Sequence, residues 1–339
     1  MPRPTIHDVA AAAKVSLATV DRVLNDRGGV AAKSVEKVLN AVDKTGYVRD
    51  QTAANLSRKR AEKFTFVLPG APTAFLERLR FSLQQEAERL QADRIDFEER
   101  TSNSFDTDAT ATTLQHLMHN PYGCVAVMAP DGPAVRAEVT RLTEAGVKVI
   151  TLVSDLPGSE RRAFVGIDNL AAGRAAARFM GRFMKQDQGL VKVIVGSMAA
   201  RDHMERLMGF QQIMRDYYPQ IEVLPVVEGY DEPDRINEIT RRALTDPLTG
   251  IYHTGAGNRG LADALRAHDG PRPTVIVHEL TPQTRNGLHD DLFDLVIDQD
   301  PARAARRAIT LMRDLSAGRP VAVTDGDIPL NIFIKENTP

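Results

Sequence analysis

One cysteine, no apolar run approaching the ~18 to 20 residues that cross a bilayer, and no apolar core at the N-terminus set the first limits on this chain. A lone Cys124 excludes an intramolecular disulfide and a cysteine-only metal cluster. The short apolar runs exclude a membrane-spanning helix, and the missing signal-peptide core implies a cytoplasmic location. What is present is 339 residues, 42% hydrophobic and 26% charged, enough for two to three soluble domains with large cores.

The net charge of −2 lacks a clear sign until it is divided along the chain. Residues 1–63 hold 12 Lys and Arg against 7 Asp and Glu, a balance of +5, and the remainder holds 31 against 38, a balance of −7. Such a division suggests a small module facing a polyanion and a larger one that does not, although a merely solvated charged face gives the same imbalance.

Thr5-Ile6-His7-Asp8 has the form of a helix N-cap followed by an acid three residues on, with Ile6, Val9, Ala10 and Ala13 at helical spacing. Lys14-Val15 breaks this helix, and Ser16 caps a second one with an inner stripe of Val20, Val23 and Leu24. A third helix, about Ala31 to Lys44, turns Val35, Val38, Leu39 and Val42 inward and ends at Thr45-Gly46. Two helices joined by a tight turn within a three-helix core match the helix-turn-helix, whose second helix enters the DNA major groove. Its first outward side chains are Leu17, Ala18 and Arg22, where Arg22 suits guanine O6 and N7 and the apolar pair suits a thymine methyl. A helical-bundle cap with solvated arginines fits the same spacing.

The strings Thr5-Ile6-His7-Asp8-Val9-Ala10, Val15-Ser16 and Ala18-Thr19-Val20-Asp21-Arg22-Val23-Leu24-Asn25 closely resemble the headpiece of the lactose-repressor (LacI/GalR) family of transcription regulators. So do Ser34 to Val38, Gly46-Tyr47, and Ala53-Ala54-Asn55-Leu56-Ser57, which looks like that family's hinge helix. The resemblance implies base reading by Leu17, Ala18 and Arg22, phosphate contacts by Ser16, Thr19 and Asn25, further DNA contacts by Thr5 and Ala53, and a minor-groove wedge at Leu56. A wedge that kinks DNA at the centre of a palindrome needs a second copy beside it, so a homodimer on a double-stranded operator is implied. Two residues depart from the family: Asp21 stands where serine is usual, and Lys14 where glycine is common, so a left-handed Lys14 would carry about 1 kcal/mol of strain.

From Phe64 onward, apolar strands alternate with amphipathic helices: strands at 64–68, 125–128, 147–153, 191–195, 223–227, 250–253 and 274–278, helices at 75–90, 134–145, 171–184, 204–217, 234–244 and 261–268. Alternation of this kind specifies α/β architecture with parallel sheets covered on both faces, and ligands bind beyond the carboxyl ends of the strands. Gly196 to Arg201 with Gly209-Phe210-Gln211-Gln212 resembles the ribose- and galactose-type binding proteins whose two-lobed fold forms the core of the repressor family. That resemblance implies an effector site of Arg201, Glu279 and Gln299, with Phe75 stacking on a sugar ring, Asn258 nearby, and Asp155 replacing an acid that the family places where Val153 stands. Carboxylates, a guanidinium fork and an aromatic face suit a sugar or polyol.

The expected organisation is therefore a headpiece at 1–48, a hinge helix and linker at 49–63, and a two-lobed effector and dimerisation domain at 64–339. Its N-lobe would comprise about 64–165 and 299–324, and its C-lobe about 166–298 and 325–339. No heptad tail follows Ile328-Pro329, so no helical tetramerisation appendage is expected.

Two rival readings remain at this point. Gly255-Ala256-Gly257-Asn258-Arg259-Gly260 is a literal GxGxxG between a strand and a helix, which would suit NAD, yet too little chain follows for a full dinucleotide-binding sheet. The two-lobed fold also suits an exported solute-binding protein, against which the headpiece argues. His116, His119 and Cys124 lack a fourth metal ligand and are read as a helix end, and Met198, Met204, Met208 and Met214 as core filling. No catalytic residue, metal or cofactor is expected.

Overall fold

The computed structural model describes residues 4–24, 29–45, 47, 62–92, 94–118, 123–184 and 189–339. The chain divides into a unit ending at Arg60 and a second unit from Ala61 to Pro339. Among the described residues no helix is long and apolar enough to cross a membrane.

In the first unit, helices α1 (Ile6–Ala13), α2 (Leu17–Leu24) and α3 (Ala32–Thr45) enclose Val9, Ala10, Ala13, Val20, Val38 and Ala41. The capping box forms as expected: Asp8 N–H donates to Thr5 Oγ1, while Thr5 N–H and Oγ1–H donate to Asp8 Oδ2 at 2.7 Å. These contacts hold the Asp8 carboxyl below its usual range. Lys14 ends α1 in the left-handed region, φ 53°. Leu39 corrects the expected inner stripe, since it is 52% exposed and Ala41 takes the inward position. Asn25, Gly46, Ala53 and Leu56 lie outside the described residues.

The second unit carries two sheets. The first, ordered β2-β1-β3-β4-β5, is parallel throughout and comprises β1 (Glu62–Pro69), β2 (Ile95–Ser102), β3 (Cys124–Val127), β4 (Lys148–Leu152) and β5 (Ala163–Val165). Helices α4 (Ala74–Ala92), α5 (Thr107–Gln115) and α6 (Pro133–Glu144) connect its strands. Strand β2 escapes the sequence pattern because it lies at the sheet edge, with only Ile95 and Ser102 buried. The second sheet runs β12-β11-β10-β9-β6-β7, with β8 also paired to β6. It contains β6 (Gly189–Val195), β7 (Ile221–Val223), β8 (Val227–Glu228), β9 (Gly250–His253), β10 (Thr274–His278), β11 (Leu295–Asp298) and the antiparallel β12 (Asn331–Phe333). The strand expected at 223–227 is two pieces because Pro225 interrupts it and cannot donate to a ladder.

Helices α7 (Asn169–Phe183), α8 (Arg201–Tyr217), α9 (Pro233–Ala243), α10 (Asn258–Arg266) and α11 (Pro282–His289) cover the second sheet, while α12 (Pro301–Ser316) returns to pack on α4, β3 and β4 of the first. The chain therefore crosses between lobes three times: after β5, after β11, and between α12 and β12. Two crossings run side by side, where Gly166 N–H donates to Gly326 O at 3.2 Å and Ile328 N–H to Gly166 O at 2.9 Å. A Cβ on Gly326 would stand 1.6 Å from the Phe164 carbonyl oxygen, so only glycine permits this approach. Gly326→Ala should therefore lower stability by about 1–3 kcal/mol, read as a lower urea midpoint by circular dichroism; an unchanged midpoint would exclude so close a crossing.

Candidate functional site

On the first unit, α2 presents its side chains outward. Leu17 is 41% exposed, Ser16, Ala18 and Arg22 are also exposed, and Thr19 is half-buried. Ser16 Oγ accepts from Thr19 N–H at 3.1 Å and lies 2.8 Å from the Thr19 hydroxyl, so the N-cap is also what fixes the start of this face. Thr5 is exposed, but its hydroxyl is engaged by Asp8.

In the second unit, a cleft opens between the carboxyl ends of the two sheets. Its N-lobe wall is apolar, formed by Phe75, Phe105, Met128 and Val153, and its C-lobe wall is polar, with Asp202, His203, Arg206, Asp231, Glu279 and Gln299. An adjoining space continues past Asn258 and Gln283. Four strands reach this cleft through left-handed, non-glycine residues: Phe105 (φ 59°) after β2, Val153 (φ 66°) after β4, Asp231 (φ 61°) after β8 and Glu279 (φ 71°) after β10. Such conformations cost on the order of 1–3 kcal/mol each and persist where packing over-determines them, commonly at binding sites.

Arg206 forms the floor of the C-lobe wall and is 2% exposed. Helices α7 and α8 pack tightly enough to hold it there: a Cβ on Gly173 would meet the Arg206 carbonyl oxygen at 1.9 Å. The guanidinium donates from Nε to Asn169 Oδ1 at 2.9 Å and from Nη1 to the Thr254 carbonyl at 2.8 Å. Its Nη2 has no hydrogen-bond partner, and the Asp202 carboxylate stands 3.8 Å away. Across the floor, Gln299 Nε2 donates to Glu279 Oε1 at 2.6 Å, while Glu279 Oε2 is buried without a partner. Burial, followed by the neighbouring Asp298 carboxylate, pushes the Glu279 carboxyl up to about 8, against the pull of Arg206 and the Gln299 amide. Beneath this floor Phe210 stacks on Tyr252 at 4.6 Å, and Tyr252 shares a 2.8 Å hydrogen bond with His278. Burial, reinforced for His278 by Arg206, keeps both His253 and His278 below the usual imidazole range.

The structure thus brings Phe75, Glu279 and Gln299 together, with Asn258 at their margin. It corrects two other expectations. Arg201 does not line the cavity: it pairs with Glu205 at 2.8 Å on its own helix and reaches Asp131 of the opposite lobe at 3.4 Å. The arginine within the cavity is Arg206, five residues further along α8, a position legible only once the helix start at Arg201 is known. Asp155 also stands outside the cavity, clamped by the Arg161 guanidinium and the Thr151 hydroxyl. Burial alone would raise its carboxyl, but those bonds hold it below the usual range. Asn258 reaches the cleft margin with its amide already engaged, Oδ1 by His253 Nδ1 at 2.8 Å and Nδ2 by the His278 carbonyl at 2.9 Å. Phe105, Asp202, His203, Arg206 and Asp231 were missed because no local pattern distinguishes them from surface residues.

The remaining chemistry-bearing residues settle elsewhere. Cys124 is buried, its thiol pushed up to about 11 by burial, and it contacts the Met312 carbonyl and the Ser316 hydroxyl. His119 lies outside the described residues, and among those described no group of three His, Cys, Asp or Glu could hold a metal. Met214 is core, as expected, but Met198 and Met208 are exposed.

A profile of the bacterial regulatory proteins of the lacI family matches residues 5–50, and one of the periplasmic binding protein domain matches residues 64–320. The chain belongs to the periplasmic binding protein domain family over most of its length, and its first residues match the profile of the lacI-family regulators. Among curated proteins it is 24% identical over 273 residues to catabolite control protein A of Priestia megaterium, covering 76% of this chain and 78% of that one. It is 36% identical to the HTH-type transcriptional regulator DegA of Bacillus subtilis over 26% of each chain. With the ribose operon repressor of Halalkalibacterium halodurans it shares 39% identity over 22% of this chain and 23% of that one. The chain thus spans about a quarter of the length of the latter two.

The fold of the larger unit is that of an ABC transporter solute-binding protein from Burkholderia graminis, solved in complex with D-arabinose, at TM-score 0.74 and 21% identity over 82% of this chain and 97% of that one. The glucose-galactose binding protein GanP of Geobacillus stearothermophilus aligns equally well, at TM-score 0.74 and 21% identity over 83% of this chain and 99% of that one.

Because folding raises the Glu279 carboxyl from 4.5 to about 8, the native state holds a proton that the unfolded chain releases in that interval. This contribution to stability is complete below 4.5 and is lost as pH rises through about 8. The loss is up to roughly 5 kcal/mol before relaxation and water entry reduce it. Glu279→Gln should flatten the decline in urea midpoint between the two limits; a slope equal to wild type would remove Glu279 as its source.

Proposed function

We propose that this protein is a DNA-binding transcriptional repressor that recognises a palindromic operator as a homodimer and responds to a sugar or polyol effector. The observation that carries the reading is the presence, in one chain, of an outward-facing second helix and a cleft with two buried polar atoms awaiting partners. On and beside α2, Arg22 reads guanine, Leu17 and Ala18 contact thymine methyls, and Ser16, Thr19, Thr5 and Asn25 hold phosphates. The hinge segment, through Ala53 and Leu56, contributes the minor-groove wedge and forms when paired with its counterpart on DNA, since a helix so short is marginal alone.

In the cleft, Arg206 Nη2 and Glu279 Oε2 are complementary to vicinal hydroxyl groups, Gln299 orients Glu279, and Phe75 covers the apolar face of a ring. The names of relatives such as the ribose and sucrose operon repressors favour the same effector class. Effector closure of the lobes would be coupled reciprocally to DNA affinity. The chain acts without catalysis, cofactor or metal, in the cytoplasm. The dinucleotide reading is disfavoured by the glycine-rich turn, whose Ala256 N–H already donates to the Asp231 carboxylate at 2.8 Å.

Arg22→Ala should cost about 1–3 kcal/mol of specific binding and flatten sequence preference while leaving salt-sensitive nonspecific binding. Footprinting or anisotropy with operator and scrambled duplexes reads this, and unchanged selectivity would refute base reading by Arg22. Arg206→Met should erase any melting-temperature rise given by D-arabinose, D-allose, D-ribose or D-glucose without weakening DNA binding by the effector-free protein. A retained rise would place recognition elsewhere.

A further inference from the structure

The glycine-rich turn Gly255-Ala256-Gly257 lies at the cleft, immediately before α10, where the free amides of a helix N-terminus ordinarily form an anion site. Here an amide of the turn itself, two residues before α10, is taken from within. The Asp231 carboxylate accepts the Ala256 N–H at 2.8 Å. Two glycines make room for it: a Cβ on either Gly196 or Gly255 would lie 2.5 Å from Asp231 Oδ1. Gly257, at φ 89°, passes the backbone of the same residue, since its Cβ would stand 3.0 Å from the Asp231 carbonyl oxygen. The turn is thus built around an internal carboxylate, held by a residue that itself adopts a left-handed conformation.

The surroundings add to the effect. The carboxylates Asp202 and Asp231 face the cavity beside the Glu279 carboxyl, and the arginine facing it from the same wall, Arg206, stands 3.8 Å from the Asp202 carboxylate. A phosphate ester entering beside the turn would find its amide donor occupied and a fixed negative charge in its place, whereas a hydroxyl or ammonium group meets acceptors.

We propose that Asp231 is a specificity-determining residue that plugs the anion slot of the glycine-rich turn and confines the cleft to uncharged or cationic polyhydroxyl ligands, rejecting phosphate esters. The proposal rests on the effector-cleft reading and narrows its ligand class.

The test uses the full chain and three probes: inorganic phosphate, D-ribose 5-phosphate and D-ribose. Asp231→Gly frees the amide at a position whose φ glycine adopts without strain, and Asp231→Asn removes the charge while keeping the shape. Wild type should show no melting-temperature rise with about 10 mM phosphate, and Asp231→Gly should gain one of several degrees. In calorimetry, Asp231→Gly should bind D-ribose 5-phosphate at least about tenfold more tightly than wild type does, with Asp231→Asn between them. Wild-type binding of the phosphate ester as tight as that of the free pentose would overturn the assignment, as would folded Asp231→Gly and Asp231→Asn proteins that gain nothing from phosphate. A gain in phosphate affinity, with no response of wild type to D-ribose, D-arabinose, D-allose or D-glucose, would uphold the anion plug while sinking the sugar-effector reading.

Discussion

Burying the guanidinium of Arg206 is the constraint around which the effector-facing half of the molecule is arranged, because a buried cation is tolerated only where its hydrogens and charge are matched. Two of its donors are satisfied by Asn169 and the Thr254 carbonyl, which tie helix α8 to the start of α7 and to the end of β9. Asn169 in turn reaches the Val153 carbonyl in the opposite lobe at 3.5 Å. The third nitrogen is buried without a hydrogen-bond partner, 3.8 Å from the Asp202 carboxylate, and Glu279 is pushed toward its protonated form by the burial that also confines Arg206. A cavity floor with one unpaired donor and one unpaired carboxyl oxygen is costly when empty and is relieved by a ligand that pairs with both.

The lobes themselves are joined by three crossings rather than by a rigid shared sheet, and their contacts across the cleft are polar. Asp131 links the lobes through its backbone N–H to the Ala199 carbonyl at 2.9 Å and its carboxylate to Arg201, while Arg78 pairs with Asp298 at 3.5 Å on the far side. Partly exposed ion pairs of this kind hold little energy each, so closure depends on what the cleft contains. Arg201 is engaged in these contacts between the lobes, five positions from the arginine that lines the cavity.

Much of the molecule was legible from local chemistry. The capping box at Thr5 and Asp8, the left-handed Lys14 and the three small helices follow from patterns spanning a few residues. So do most strands of the parallel sheets, which are apolar because both their faces are covered. Legibility failed where an element is polar for positional reasons, as in edge strand β2, or broken, as at Pro225. Among cleft residues, Phe75, Glu279 and Gln299 were reached by resemblance, while Asp155 was misassigned because Arg161, six positions on, is its partner.

Sequence by itself determined the two units, the helix-turn-helix face and the α/β alternation, since each rests on contacts between residues near one another in the chain. Only the tertiary structure decided which arginine enters the cleft, why Glu279 keeps its proton and what the glycine-rich turn encloses. Those depend on groups from β6, β8, β10 and α8 converging from distances of up to 83 residues in sequence, from Gly196 to Glu279, and on the burial that convergence creates. Charge and hydrogen bonding act through space, and no short string records them.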